Sequence, residues 1–196
     1  MEQKYDKIVI SPYSDKWPAT FEAIRGILSS ELQGLYCDIQ HVGSTSVPHL
    51  AAKPILDIDI IIDSPASLPP LIKQLHALGY RHLGTRGISG REAFDAASAS
   101  VPRSADGREW MAHNLYVCIK GCLALENHIR FRDYLRENPE VAASYAALKA
   151  KIATEPACTL ESYAAAKTSF IASVLSKTGI GPEAIATIRG ENKLRI

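Results

Sequence analysis

The sequence predicts an α/β (α+β) protein: a small mixed β-sheet with helices on one face, followed by a C-terminal helical subdomain. Three observations carry this. The run 55–62 is apolar and largely β-branched except for Asp57 and Asp59, as a buried strand requires. On either side of it, 17–35 and 68–78 place apolar residues at three- and four-residue steps, as amphipathic helices do. From residue 122 onward the pattern is helical. A division follows into an α/β core, 1–121, and a helical subdomain, 122–196.

The chain has 196 residues and a formal net charge of +1. That length suits one domain, or one domain with a helical appendage, and buries roughly 70% of the surface the unfolded chain exposes. A charge near zero argues against a general nucleic-acid or membrane-surface binder. No apolar run has membrane-spanning length, and the opening Met-Glu-Gln-Lys-Tyr-Asp-Lys lacks the layout of a signal peptide. A cytoplasmic protein is expected. Cys37, Cys118, Cys122 and Cys158 form no C-x-x-C pair and read as reduced, mostly packed thiols. A zinc set of Cys118, Cys122, His113 and His128 is rejected on its irregular spacing.

In chain order, 8–12 reads as a short strand or extended arm. A helix then starts near Ser14, with Asp15 as cap and Pro18 in the first turn; Trp17, Phe21, Ile24, Leu28, Leu32 and Leu35 form its apolar stripe. Ile39 and Val42 mark a short strand before the small-residue turn Gly43-Ser44-Thr45-Ser46, and 55–62 is the next strand. Ser64-Pro65 ends it. The helix 68–78 closes at Gly79, and 80–83 is a short strand leading to a Gly-rich turn. Residues 95–110 are small and polar without a period, which predicts an exposed, mobile loop. Residues 115–119 are a strand. Helices follow over 122–138, 139–153 and 160–177, with a last short one from Gly181-Pro182 and a frayed tail over 189–196. No internal repeat is present.

The chemistry concentrates in 41–63. Successive strand side chains alternate faces, so Asp57 and Asp59 point the same way. Two adjacent carboxylates on an apolar strand repel and must be desolvated, unless positive charge lies between them. A divalent metal supplies it, and hard oxygen ligands suit Mg²⁺ carrying a polyphosphate. Ser44 and the backbone N–H groups of the Gly43–Ser46 turn are placed to hold phosphates. The alternative, one Asp ending the strand and the other solvated, fits poorly with apolar residues flanking both.

A Gly-Ser turn, about a dozen residues, then Asp-apolar-Asp resembles the DNA polymerase β-like nucleotidyltransferases. The fuller strings His41-Val42-Gly43-Ser44-Thr45-Ser46-Val47-Pro48 and Ala51-Ala52-Lys53-Pro54-Ile55 resemble the GrpB family, a branch of that superfamily. The opening Pro-Tyr-Ser-Asp-Lys-Trp-Pro, the block Phe131-Arg132-Asp133-Tyr134-Leu135-Arg136 and the Tyr163-x-x-x-Lys167 pair extend the resemblance from Pro12 to about Gly190. It implies a nucleotidyltransferase-like fold and an NTP–Mg²⁺ site with Asp57 and Asp59 as metal ligands. Around the nucleotide it implies Arg132, Lys167 and Tyr163. His41 and Lys53 are further phosphate candidates, with a packing histidine and a loop lysine as the plain readings. Arg132 reads equally as part of a solvated face balanced by Asp133 and Glu137, and Lys167 as a lysine reaching past an apolar stripe to water. Thr45 belongs to the phosphate turn, and Ser46 reads also as a cap for a helix following it.

Two-metal transfer generally uses a third acidic residue, and the strand around 114–118 carries none. Glu92 is the best substitute, with Asp95 and Glu109 behind it. Two functions follow: an Mg²⁺-dependent transferase moving a nucleotidyl group from an NTP to a hydroxyl-bearing acceptor, or a nucleotide- or cofactor-binding accessory module without chemistry. No G-x-x-x-x-G-K-[ST] P-loop is present.

Overall fold

A computed structural model of the chain describes residues 8–155 and 159–193. Five strands form one mixed sheet: β1 (Asp38–Val42), β2 (Leu56–Ile62), β3 (Tyr80–His82), β4 (Arg91–Ala96) and β5 (His113–Ile119), in the spatial order β1-β2-β5-β4-β3. β2 and β5 run parallel at the centre, and every other pairing is antiparallel.

Strand parity divides the sheet into two chemically different faces. Leu56, Ile58, Ile60, Leu115, Val117 and Phe94 point to one side, where α1 (Lys16–Glu31) and α2 (Leu68–Ala77) cover them. The α1 residues Trp17, Phe21, Ile24 and Leu28 and the α2 residues Leu71 and Leu75 are all buried in this core. The start of α1 departs from expectation: the Asp15 side chain makes no cap bond, and Ser14 Oγ accepts the Lys16 N–H at 3.3 Å. α2 ends as predicted, with Gly79 at φ +100° and its N–H donated to the His76 carbonyl. The 8–12 arm makes one antiparallel bridge, Ser11 to Ala52, and buries Ile8 against Ile152 and Tyr163.

The opposite face, carrying Asp57, Asp59, Asn114 and Tyr116, receives α3 (Leu123–Glu137), which packs on β1 and β5. α4 (Pro139–Ala153) and α5 (Leu160–Leu175) pack on α3, and α6 (Pro182–Lys193) on α5. Residues 189–193, expected to fray, continue α6; Cys158 and the tail beyond 193 lie outside the described residues.

Two further expectations are corrected. Residues 91–96, assigned no element from sequence, form β4. The 95–110 segment is not simply exposed: Val101 and Trp110 are buried in the main core, and Trp110 Nε1 donates to the Pro102 carbonyl at 2.8 Å. No helix among the described residues is long and apolar enough to cross a membrane.

Candidate functional site

The site grows from β2. Its core-facing residues are aliphatic, so the alternate positions, Asp57 and Asp59, are delivered together to the α3 side, opposite Asn114 and Tyr116 of β5. Asp57 is half-buried, and its Oδ1 accepts a hydrogen bond from Asn114 Nδ2 at 2.9 Å. Burial pushes its carboxyl above the usual range; the Asn114 bond and the His128 ring oppose this, and the Asp59 charge adds to it. Asp59 is fully buried. Its Oδ2 lies 2.8 Å from His128 Nδ1, whereas Oδ1 has no hydrogen-bond partner among the described residues.

The turn after β1 is shaped around Asp57. Gly43 has φ +69° and ψ −173°, a region open in practice to glycine alone. Ser44–Ser46 make one 3₁₀ turn, with no longer helix after it. Ser46 therefore caps nothing by accepting an N–H: its Oγ donates to the Gly43 carbonyl at 2.6 Å. Thr45 is buried, and its Oγ1 lies 3.1 Å from His41 Nε2. Ser44, whose side chain meets the Tyr145 hydroxyl, lines the open space.

That space is a cavity of about 450 Å³ walled by Ser44, Lys53, Asp57, Arg86, Lys149 and Lys167 among others. It shares Ser44, Asp57, Tyr116 and Lys167 with a tighter recess of about 160 Å³ reaching back to His128 and Tyr145. Four basic side chains thus ring one carboxylate. Lys167 Nζ sits 4.1 Å from the Tyr163 ring centroid, joining the two residues as their one-turn spacing predicted. Lys149 is 1% exposed and donates from Nζ to the Ala51 carbonyl at 2.6 Å; burial, helped by the Lys167 charge, pushes it down to about 7.

Of the candidates, the structure brings together Gly43, Ser44, Lys53, Asp57, Asp59, Tyr163 and Lys167, with Thr45 and Ser46 shaping the turn. Three others lie elsewhere. His41 belongs to the core face of β1, stacks on Phe21 at 4.7 Å, and is held down to about 4 by burial and then by Arg136 and Arg132. Arg132 is buried and spends its donors on Gln40 Oε1 (2.6 Å), the His41 carbonyl (3.0 Å) and Asp133 (2.7 Å). With Arg136, which donates twice to the Ser46 carbonyl, it clamps β1 and the turn from behind. Glu92 pairs with Val117, so it points to the face opposite Asp57 and Asp59, where it meets His82 at 2.7 Å. It is no third carboxylate for that pair. Nor is Asp95, which is held by Arg81. Beside Asp59 on β5 stands Tyr116, under the Arg91 guanidinium at 4.4 Å.

Sequence reasoning gave no role in the site to His128, Lys149, Asn114 and Arg86. Helical spacing held a signal for the first two. His128 lies between Leu125 and Arg132 on the inward stripe of α3, and Lys149 lies between Tyr145 and Ile152 on that of α4.

The profile of the GrpB family, described as "GrpB protein", matches residues 7–177. The chain belongs to the GrpB family. The UPF0157 protein YqkA of Bacillus subtilis is 33% identical over 165 residues, covering 84% of this chain but only 45% of YqkA, so the chain spans about half the length of that relative. The crystal structure of conserved protein GrpB from Enterococcus faecalis superposes with a TM-score of 0.72 at 28% identity, over 91% of this chain and 98% of that one. The Cid1 poly(U) polymerase aligns more loosely, at 16% identity and a TM-score of 0.43 over 81% of this chain and 50% of Cid1.

Proposed function

We propose that this GrpB-family chain binds a nucleoside triphosphate with a divalent cation, Mg²⁺ in the simplest case, and transfers its nucleotidyl group to a hydroxyl-bearing acceptor. The observation that carries this is Asp57, set beside the Gly43–Ser46 turn and facing a cavity ringed by Lys53, Arg86, Lys149 and Lys167, with Asp59 buried next to it on the same face of β2. Only a polyanion with an accompanying cation suits both halves of that surface.

The donors fit such a cation. Among the described residues Asp59 Oδ1 is buried without a hydrogen-bond partner, and the neighbouring Asp57 carboxyl is destabilised as an anion by its burial. Positive charge held at Asp57, close to Asp59, relieves both conditions. Among the described residues no three His, Cys, Asp or Glu side chains converge to hold a metal alone, so phosphate oxygens would complete its shell. A bound Mg²⁺ would supply charge neutralisation and Lewis acidity.

The chain's own groups do the rest. Ser44 and the turn amides meet the phosphates, the cationic ring binds and orients the triphosphate, and the overlying helices limit water. The acceptor hydroxyl oxygen then forms a bond to the α-phosphorus as the bond to pyrophosphate breaks, the hydroxyl proton passing to water. A second reading, nucleotide binding without turnover, is favoured by one observation: β5 offers no carboxylate beside the pair.

Thermal midpoints with each of the four Mg²⁺–nucleoside triphosphates, followed by pyrophosphate release against candidate hydroxyl acceptors, test this. Ligand at ~100 times its dissociation constant adds about 2.7 kcal/mol of stability. A metal-dependent shift lost in D57N/D59N, together with pyrophosphate release, supports the transferase. A shift without release leaves the binding module. No shift at millimolar ligand and metal removes both.

A further inference from the structure

His128 has a geometry that the carboxylate pair alone does not explain. Its Nδ1 lies 2.8 Å from Asp59 Oδ2. With the Asp59 carboxylate as acceptor, Nδ1 is the donor of this bond, and the neutral ring in that tautomer has its lone pair on Nε2. The two partners differ in exposure: the Asp59 side chain is 0% exposed and that of His128 18%. The accessible part of the ring lines the 160 Å³ recess, where it faces the same space as Asp57, Ser44 and Lys167. Tyr116 flanks it at 5.7 Å between ring centroids, tilted by 50°.

This is a buried carboxylate holding the Nδ1 side of an imidazole whose ring lines a cavity shared with a second carboxylate, Asp57. Metal-bound histidines are oriented in this way, their remaining N–H given to a carboxylate that fixes the tautomer and raises the basicity of the ligating nitrogen. The Asp59–His128 pair also occupies the place where a third acidic residue is missing. β5 presents Asn114 and Tyr116 to the site, and α3 brings the imidazole in from above.

We propose that His128 Nε2 is a direct ligand of the divalent cation, shared with Asp57, and that Asp59 acts through His128 as a positioning residue. The inference rests on the cation-site reading of the cavity given above. It changes what the site selects. An all-oxygen set suits Mg²⁺, whereas imidazole plus carboxylate favours Mn²⁺ and later divalent metals. Mn²⁺ is therefore expected to bind at least tenfold more tightly than Mg²⁺.

Electron spin echo spectroscopy of the wild-type protein with Mn²⁺ and tripolyphosphate tests this. Tripolyphosphate contains no nitrogen, so a directly coordinated ¹⁴N signal can come only from the protein. The expected result is such a signal in the wild type, absent in H128Q, with Mn²⁺ affinity falling ~10–100-fold in D59N. Mn²⁺ that binds in a D57N-sensitive way but shows no ¹⁴N coupling would overturn the role of His128 while leaving the cation site standing. Mn²⁺ binding indifferent to D57N, or none at all, would remove the cation-site reading and this inference with it. The wild-type spectrum decides the matter even if H128Q fails to fold.

Discussion

A Cβ placed on Gly43 would lie 2.2 Å from Asp57 Oδ2. The backbone of the turn and the carboxylate of β2 are therefore in contact, and the turn can be occupied only by a residue without a side chain. The positive φ of Gly43 adds a second, independent demand for glycine.

G43A should accordingly lose function well beyond its loss of stability. The left-handed conformation costs about 1–3 kcal/mol for a residue with a Cβ, readable by urea denaturation. The clash must also displace Asp57 from Asn114 and from the cavity. The expected outcome is a folded protein with no metal-dependent nucleotide shift. Full retention of that shift would mean that Asp57 need not stay where the turn now holds it.

The carboxylate pair was legible in the sequence because strand parity is a local property: any strand through 55–62 puts Asp57 and Asp59 on one face. The face of Glu92 was not. It depends on the register of β4 against β5, a long-range pairing, and β4 itself, Arg-Glu-Ala-Phe-Asp-Ala, alternates too weakly to announce a strand. Val101 and Trp110 are isolated apolar residues in a polar segment, so no period could report their burial. Lys149 was hidden for the opposite reason. A charge on the inward stripe of α4 looks like a break in the pattern until the Ala51 carbonyl and the cavity beside it are seen.

Asp57 should weaken the free protein it serves. Its carboxyl is raised in the folded state, first by burial. Such an acid binds more protons folded than unfolded, so stability falls as pH rises from the unfolded value through the folded one, and the penalty is complete above it. D57N removes this penalty and keeps an acceptor for Asn114. At neutral pH without ligand its thermal midpoint should exceed that of the wild type, each kcal/mol giving roughly 2–4 °C, and the difference should shrink in acid. An unchanged or lower midpoint would show that burial of this charge costs little.

Arg132 and Glu92 separate support of the site from contact with ligand. R132M breaks charge-assisted bonds to Gln40 and to the His41 carbonyl, a loss of about 1.5–3 kcal/mol. Its thermal midpoint should fall, while the increment produced by a bound nucleotide stays near that of the wild type. E92Q, on the other face of the sheet, should leave that increment unchanged too. A selective loss of the increment in either variant would put that side chain within reach of the nucleotide.

Lys149 links binding to pH. Its folded value of about 7, against an ordinary 10.5, means that it binds fewer protons folded than unfolded between those limits. Its penalty is full below about pH 7 and is relieved as pH rises toward the ordinary value, so stability climbs across that window. K149M should flatten the climb. A polyanion in the cavity favours the charged ammonium, so binding above pH 7 must draw a proton onto Lys149, and wild-type affinity should decline as pH rises through this range. Titration calorimetry at pH 8 in two buffers of different ionisation enthalpy reads that proton directly. K149M should bind more weakly, without proton uptake and with a flat pH profile. Wild-type binding with no proton taken up would mean that the anion does not reach Lys149.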